Sequence, residues 1–315
     1  MQFQLTDEQR ALQDAVRSYL RDRFGPTQVR ELYENDTDGV PAELWKAVNE
    51  QGWLAVLVPE EHDGLGLGLL DASVISRAFG AGTVPGPWLS TLIAGEAIRL
   101  AGSPAQQGKH LANLAAGGLM AAVALVRNGC TPNPAGAPLA DGQGTLTGDL
   151  GLVEYAAVAN LLVVASRDGG LHLVDPAGPG VTITSQDSLD RTTRLDHVVL
   201  DGAPGERLEA SSATVLQEVL DRAAVLVAND LAGLARKALT DTVEYDKIRS
   251  SSASRSGRSR PSSTIWRTCM LLSRWPSTRR PTRRTPSTST RRTSSWRLRS
   301  PRARLLTPPV PRSAR

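Results

Sequence analysis

The sequence predicts an α+β multidomain chain. An N-terminal α-helical domain covers residues 1–115, and a central antiparallel β-barrel or sandwich domain covers 116–211. The start of a C-terminal helical bundle covers 212–249, and a disordered tail covers 250–315. Three observations predict this. Apolar residues recur at helical spacing through the first third, and the period shortens to strand-like runs in the middle third. Alanine-rich helical spacing then returns from Ser212 and stops where the composition changes at Ser250.

Each element has a local reason. Thr6 can cap a first helix with Gln9 as its capping-box partner, and Leu12, Ala15, Val16, Tyr19 and Leu20 form one apolar stripe behind it. A second helix is expected over 41–51, with Pro41 in its first turn and Gly52 ending it. The string VPEEHDGLGLG (58–68) is a glycine-rich loop, and buried helices follow near 70–81 and 89–101. LMAAVALV (119–126) is a continuous apolar strand, and GTLTGDLGLV is a second candidate. LLVVAS, RDGG and LHLVD make a hairpin with glycine at its turn. RLDHVVLDG alternates Leu195, His197 and Val199 against Asp196, Val198 and Leu200. Two further helices are expected over 215–226 and 230–249, with apolar positions such as Leu231, Leu234, Ala238 and Leu239.

The formal net charge of +4 averages two unlike parts of the 315-residue chain. Residues 250–315 hold 17 arginines, no lysine and no acid, which leaves 19 Lys+Arg against 32 Asp+Glu in residues 1–249, a net of −13. The globular part is acidic and offers no general nucleic-acid surface. Two cysteines, Cys130 and Cys269, make neither a disulfide framework nor a zinc site. No early apolar run has the form of a signal peptide and none has spanning length, so a cytoplasmic location without a membrane partner is expected.

Motifs for chemistry are sparse. GLGLG lacks the GxGxxG spacing of a dinucleotide loop and suits a tight interhelical turn. His62, His110, His172 and His197 have no metal-ligand spacing, and neither a GxSxG elbow nor a Cys/His pair marks a nucleophile. Read from the residues alone, the chain is an α, β, α protein with no visible site.

The tail has a signature of its own. Tyr, His, Gln, Asn, Lys, Asp and Glu are absent from residues 250–315, and these are the amino acids with adenine at the second codon position. Phosphate attraction gives no reason to avoid lysine. A shifted frame in a GC-rich gene does, because 58 of the 66 tail residues are types with G or C at that position. Codons chosen for residues 250–270, read from their third nucleotide, give QFGLPIGSFQAIKHHLADM, as if one nucleotide were lost just after Arg249. The rival readings are an Arg/Ser nucleic-acid-binding tail, with Trp266, Trp275 and Trp296 to stack on bases, and a folded terminal domain, which this composition does not support.

Five strings carry a resemblance: LTDEQRALQDAVRSYL, VPEEHDGLGLG, TGDLGLVEYAAVANLLVVAS, DSLDRTTRLDHVVLDG and ANDLAGLARKALTDTVEYDKIR. In this order they resemble the acyl-CoA dehydrogenase family over residues 1–249, and the shifted-frame peptide is similar to the stretch that follows in that family. The resemblance implies α,β-dehydrogenation of an acyl-CoA thioester, with FAD as hydride acceptor and a glutamate as base. It implies a homo- or hetero-oligomer and an electron-transfer acceptor. It places Arg249 at the FAD pyrophosphate, although the residue taken alone is equally a helix-end cation. It places Asp221 at the substrate, in the family's Asp-x-x-Arg, where Ala224 stands for the arginine. VRNGCTPNPAG (126–136) stands where the family has a Thr-Glu-Pro loop that contacts flavin and substrate. The catalytic base is unknown, because the family's glutamate falls beyond residue 249 or near Ala223. The expected function is therefore that of a FAD-dependent acyl-CoA dehydrogenase, inactive in this form because the frameshift replaces its C-terminal domain. The alternatives are a non-catalytic partner subunit of a heteromeric enzyme, or a nucleic-acid-binding protein using the arginine-rich tail.

Overall fold

The computed structural model describes residues 4–35, 39–125, 138–141, 144–248, 250–251 and 254–255. Most of the tail, with its expected disorder, lies outside them.

Thr6 opens α1 (Asp7–Arg23) as its sequence requires. Its Oγ1 accepts from Gln9 N at 3.2 Å, and its own N–H donates to Gln9 Oε1 at 3.1 Å. Val16 and Leu20 bury the inward stripe. Two short helices were not expected, α2 (Pro26–Glu34) and α6 (Pro104–Ala115). Both begin with proline at the first position, and Ser103 caps α6 with Gln106 in a reciprocal box. Their few apolar residues hide them from a periodicity reading. α3 (Ala42–Glu50) starts one residue later than expected, with Pro41 as its N-cap. The glycine-rich string forms a 3-10 turn at Glu60–His62 and leads into α4 (Leu69–Gly82), which α5 (Trp88–Ala101) follows.

Among the described residues the middle region forms two separate four-stranded sheets, which do not close into a barrel. One sheet has the order β1 (Ala121–Ala124), β4 (Leu161–Ala165), β5 (Leu171–Val174), β8 (Glu206–Arg207). The other has the order β2 (Leu139–Ala140), β3 (Thr145–Glu154), β7 (Leu195–Pro204), β6 (Val181–Gln186). The expected hairpin is β4–β5, antiparallel from Leu162↔Val174 to Ala165↔Leu171. The wholly antiparallel expectation fails at one place: β1 and β4 run parallel, Ala121 opposite Leu161. Both strands are nearly continuous apolar runs because their sheet is covered on both faces, the setting in which parallel pairing occurs. Ala121, Val163, Leu171 and Leu173 face the helices, whereas Ala122, Leu162, Val164 and Val174 face Leu146, Val153, Val198 and Leu200 of the second sheet. The order of layers is helices, first sheet, second sheet. Asn160 closes the start of β4: its amide accepts from Met120 N at 3.0 Å and donates to Gly118 O at 2.7 Å.

The last described helix, α7 (Ala213–Ile248), is a single element of 36 residues where the sequence suggested two. Asn229, between the two expected helices, stays helical and donates from its side chain to Val225 O at 2.9 Å. After α7, Ser250–Ser251 pairs antiparallel with Ser254–Arg255.

α7 lies against α4 at backbone contact. A Cβ on Gly80 would stand 2.0 Å from Asp230 O, and one on Gly233 would stand 2.1 Å from Arg77 O. Gly108 of α6 has nothing within 4 Å of that position. Gly80→Ala and Gly233→Ala are each expected to destabilise by about 1–3 kcal/mol through overpacking. Gly108→Ala is expected to stabilise by roughly 0.5–1 kcal/mol through helix propensity alone. Urea unfolding midpoints of the three variants check this contrast.

Candidate active-site cleft

One group of polar and titratable side chains lies where β3 ends. Tyr155 follows β3 with φ of 58°, an uncommon conformation for a side chain of this size. Its hydroxyl accepts from Gly86 N at 2.9 Å and donates to Thr192 O at 2.9 Å, which ties the α4–α5 connection to the second sheet. Burial pushes this phenol up to about 12, so it stays protonated. Beside it, partial burial and then the charge of Asp190 push the Glu154 carboxyl upward. Asp230, on the half-buried face of α7, is pushed up to about 6, first by burial and then by Glu154. A carboxyl in that range can hold and release a proton near neutral pH.

A second group fixes α7 to α5. Glu96 is only 2 % exposed. It accepts from Arg99 Nε at 2.7 Å and Arg99 Nη2 at 3.1 Å, and from Arg222 Nε across the helix pair. The expected substrate residue Asp221 is the neighbour of Arg222, but it is exposed and accepts from Gln217 Nε2 at 2.9 Å on its own helix. The structure therefore does not bring Asp221 to Glu154 and Asp230. Arg249 and the 126–136 segment lie outside the described residues.

A third group resembles a nucleophile pair. Ser166 Oγ is 3.0 Å from His172 Nε2, but it also reaches Asp168 Oδ1 at 2.5 Å and Gly170 O at 3.1 Å. Ser166 and His172 are both buried. The Ser166 hydroxyl and then Arg207 hold the Asp168 carboxyl well below the usual carboxylate range. The network braces the β4–β5 turn. On β7, His197 Nε2 lies 2.9 Å from Asp149 Oδ1. No group of three or more His, Cys, Asp or Glu among the described residues could hold a metal ion, and no described helix is long and apolar enough to cross a membrane.

A family model described as the N-terminal domain of acyl-CoA dehydrogenase matches residues 6–118. The chain is 29% identical over 244 residues to the acyl-CoA dehydrogenase IpdE2 of Mycobacterium tuberculosis, covering 77% of this chain and 65% of that protein. Residues 6–118 are thus similar to the N-terminal domain of the acyl-CoA dehydrogenase family, and the relatives matched over a longer span are acyl-CoA dehydrogenases. FadE34, another acyl-CoA dehydrogenase of M. tuberculosis, is 28% identical over 253 residues, covering 78% of this chain and 33% of the relative. The chain thus spans less than two thirds of the length of these curated relatives. Among solved structures, a variant of the steroid ACAD Tcur3481-Tcur3483 superposes with a TM-score of 0.75 at 26% identity, covering 85% of this chain and 74% of that one. The ChsE4-ChsE5 complex from M. tuberculosis gives 0.78 at 23%, covering 87% and 76%. A glutaryl-CoA dehydrogenase from Mycobacterium smegmatis, solved with FADH2, gives 0.72 at 22%, covering 85% and 75%; at these last two identities the likeness speaks for the fold alone.

Sequence reasoning missed Glu96, Glu154 and Asp230. Glu96 has one partner, Arg99, on its own helix, but Arg222 and the groups that act on Glu154 and Asp230 lie on other elements. Asp230 has a raised folded pKa, so its contribution to stability is fully present below its ordinary value of 3.8 and is lost as pH rises through about 6. Asp230→Asn is expected to raise the unfolding midpoint at pH 7.5 and to leave it nearly unchanged at pH 4, as thermal melts at both values will read. Glu96→Gln leaves two partly buried arginines without their carboxylate and is expected to cost about 3 kcal/mol, measurable by denaturant titration.

Proposed function

We propose that this chain derives from a FAD-dependent acyl-CoA dehydrogenase, which oxidises an acyl-CoA thioester to its α,β-enoyl form, and that the tail leaves it inactive. One observation carries the reading. A helical layer, two stacked sheets and a long helix clasped to α4 and α5 occur together in a chain whose curated relatives are acyl-CoA dehydrogenases. Its cofactor is FAD, which when bound supplies the hydride acceptor. The described residues fit that group only in part. Leu152, 44 % exposed on β3, offers an apolar seat for a flat ring, whereas Glu154, Asp190 and Asp230 offer no donor to a pyrophosphate. That contact falls to Arg249, and the substrate contact to Asp221. No described residue takes the role of base.

The residues of the cleft have structural tasks in this reading. The Glu96–Arg222 pair holds α7 in place, and Tyr155 holds the second sheet against the α4–α5 connection. Val227, Leu231, Leu234 and Tyr245 leave an exposed apolar stripe along α7. That stripe favours an oligomer, or the rest of a helical bundle, over a free monomer. The tail lacks the apolar period to cover it, which supports an out-of-frame origin from residue 250 onward. A second reading, a non-catalytic subunit paired with an active one, is favoured by the missing Thr-Glu-Pro in the 126–136 segment. The heteromeric ChsE4-ChsE5 complex is an assembly among the similar structures.

The nucleotide sequence at codon 249 tests the origin of the tail. One inserted nucleotide is expected to open a frame continuing with QFG and HHLADM, and an early stop in that frame would refute it. The purified 315-residue form is expected to be colourless and to leave acyl-CoA unchanged. The restored-frame protein is expected to absorb at flavin wavelengths, alone for the first reading or only with a partner for the second.

A further inference from the structure

β3 begins at Thr145 and ends at the cleft, about 30 Å away at a strand rise of ~3.3 Å per residue. At its beginning lies a cavity of ≈ 870 Å3 between α6 and the edges of both sheets. Leu119, Leu161, Leu173 and Val174, all buried, give it apolar walls. His110 of α6 lines it, is only 8 % exposed, and keeps a buried Nε2 with no hydrogen-bond partner among the described residues. Buried polar atoms in native proteins are almost always paired, so this nitrogen points to a partner that the described residues do not supply.

The rim limits what that partner is. Lys109 and Asn113 stand on the α6 side, and Asp175 and Glu206 stand opposite. Glu206 Oε1 already accepts from Gln106 Nε2 at 2.7 Å, and Asp175 Oδ1 accepts from Ala177 N at 2.9 Å. Each carboxylate keeps a second oxygen for a donor. Burial and then Lys109 lower the His110 imidazole, so at neutral pH it presents a hydrogen bond and not a charge. A simple anion would meet two carboxylates against one ammonium. A bare alkyl ammonium could pair with the carboxylates and with His110, but it brings no acceptor for Lys109 or Asn113 on the rim. The volume lies within the range of small-molecule sites. A flat ring with apolar faces, N–H donors on one edge and a ring nitrogen on another answers all of these groups at once.

We propose that this cavity binds an amino-substituted nitrogen heterocycle of the nucleobase class, with its ring nitrogen or N–H at His110 Nε2 and its exocyclic amine at Glu206 or Asp175. The site is separate from the cleft and does not depend on dehydrogenase activity.

The test uses the full chain and adenosine as probe, with hexylamine and benzoate as comparison ligands, followed by calorimetry and by the 15N shift of the His110 ring. Saturable adenosine binding that moves the His110 Nε2 resonance is expected. His110→Phe and Glu206→Gln should each weaken it by about tenfold or more, the equivalent of one lost hydrogen bond. Should His110→Phe fail to fold, Glu206→Gln and the wild-type resonance still decide the matter. Four outcomes overturn the proposal: no saturable binding at millimolar adenosine, binding that survives both substitutions, equal binding of hexylamine or benzoate, or a His110 resonance that does not move.

Discussion

The backbone contact between α4 and α7 sets the rest of the molecule. Two helices can approach main chain to main chain only where no Cβ stands between them, and Gly80 of α4 and Gly233 of α7 each supply that, against the backbone of Asp230 and of Arg77. The close approach brings α7 within reach of α5, so that Arg222 meets Glu96. It also sets Asp230 among the helices, where desolvation and Glu154 act on it. Were the helices separated by an ordinary side-chain layer, Asp230 would lie in water with an ordinary carboxyl. Packing geometry comes first here, and the electrostatics follow from it.

The two clasps on α7 differ in kind. Glu96 is buried but charge-balanced by two guanidinium groups, whereas Asp230 is half-buried beside another acid. The second trades its charge for protonation as the pH falls, so its effect on α7 varies with pH.

Much of the fold was legible because the signals were local. The Thr6–Gln9 box, the glycine turn between β4 and β5, and the alternation of β7 each need only a few neighbouring residues. The parts that were not legible depended on distance. β1 and β4 pair in parallel although 36 residues separate Ala124 from Leu161 in the chain, and a bare apolar run carries no information on strand direction. α2 and α6 are marked by caps and prolines more than by apolar period. The sequence suggested two helices, 215–226 and 230–249, but the residues between them stay helical, and Asn229 donates from its side chain to Val225 O. The site was the least legible part. Glu96 looks like any acid in a helix until Arg222, 126 positions later, is laid beside it. Asp221, one residue away, carried the recognisable pattern and faces outward.

β4 is buried on both faces over its whole length, Leu161–Ala165. In most strands the alternation of apolar and polar residues forbids a slip of one position, since a slip turns the polar face inward. In LLVVA every slip exchanges one aliphatic side chain for another, so the hydrophobic effect is nearly indifferent to alignment. The alignment must then be read at the ends. Asn160 clasps Met120 and Gly118 at one end, and Ser166 meets His172 at the other. These few polar atoms act as the reference marks by which an otherwise unmarked rod is set in place, and a change that loosened both ends would leave the same composition free to settle one notch away.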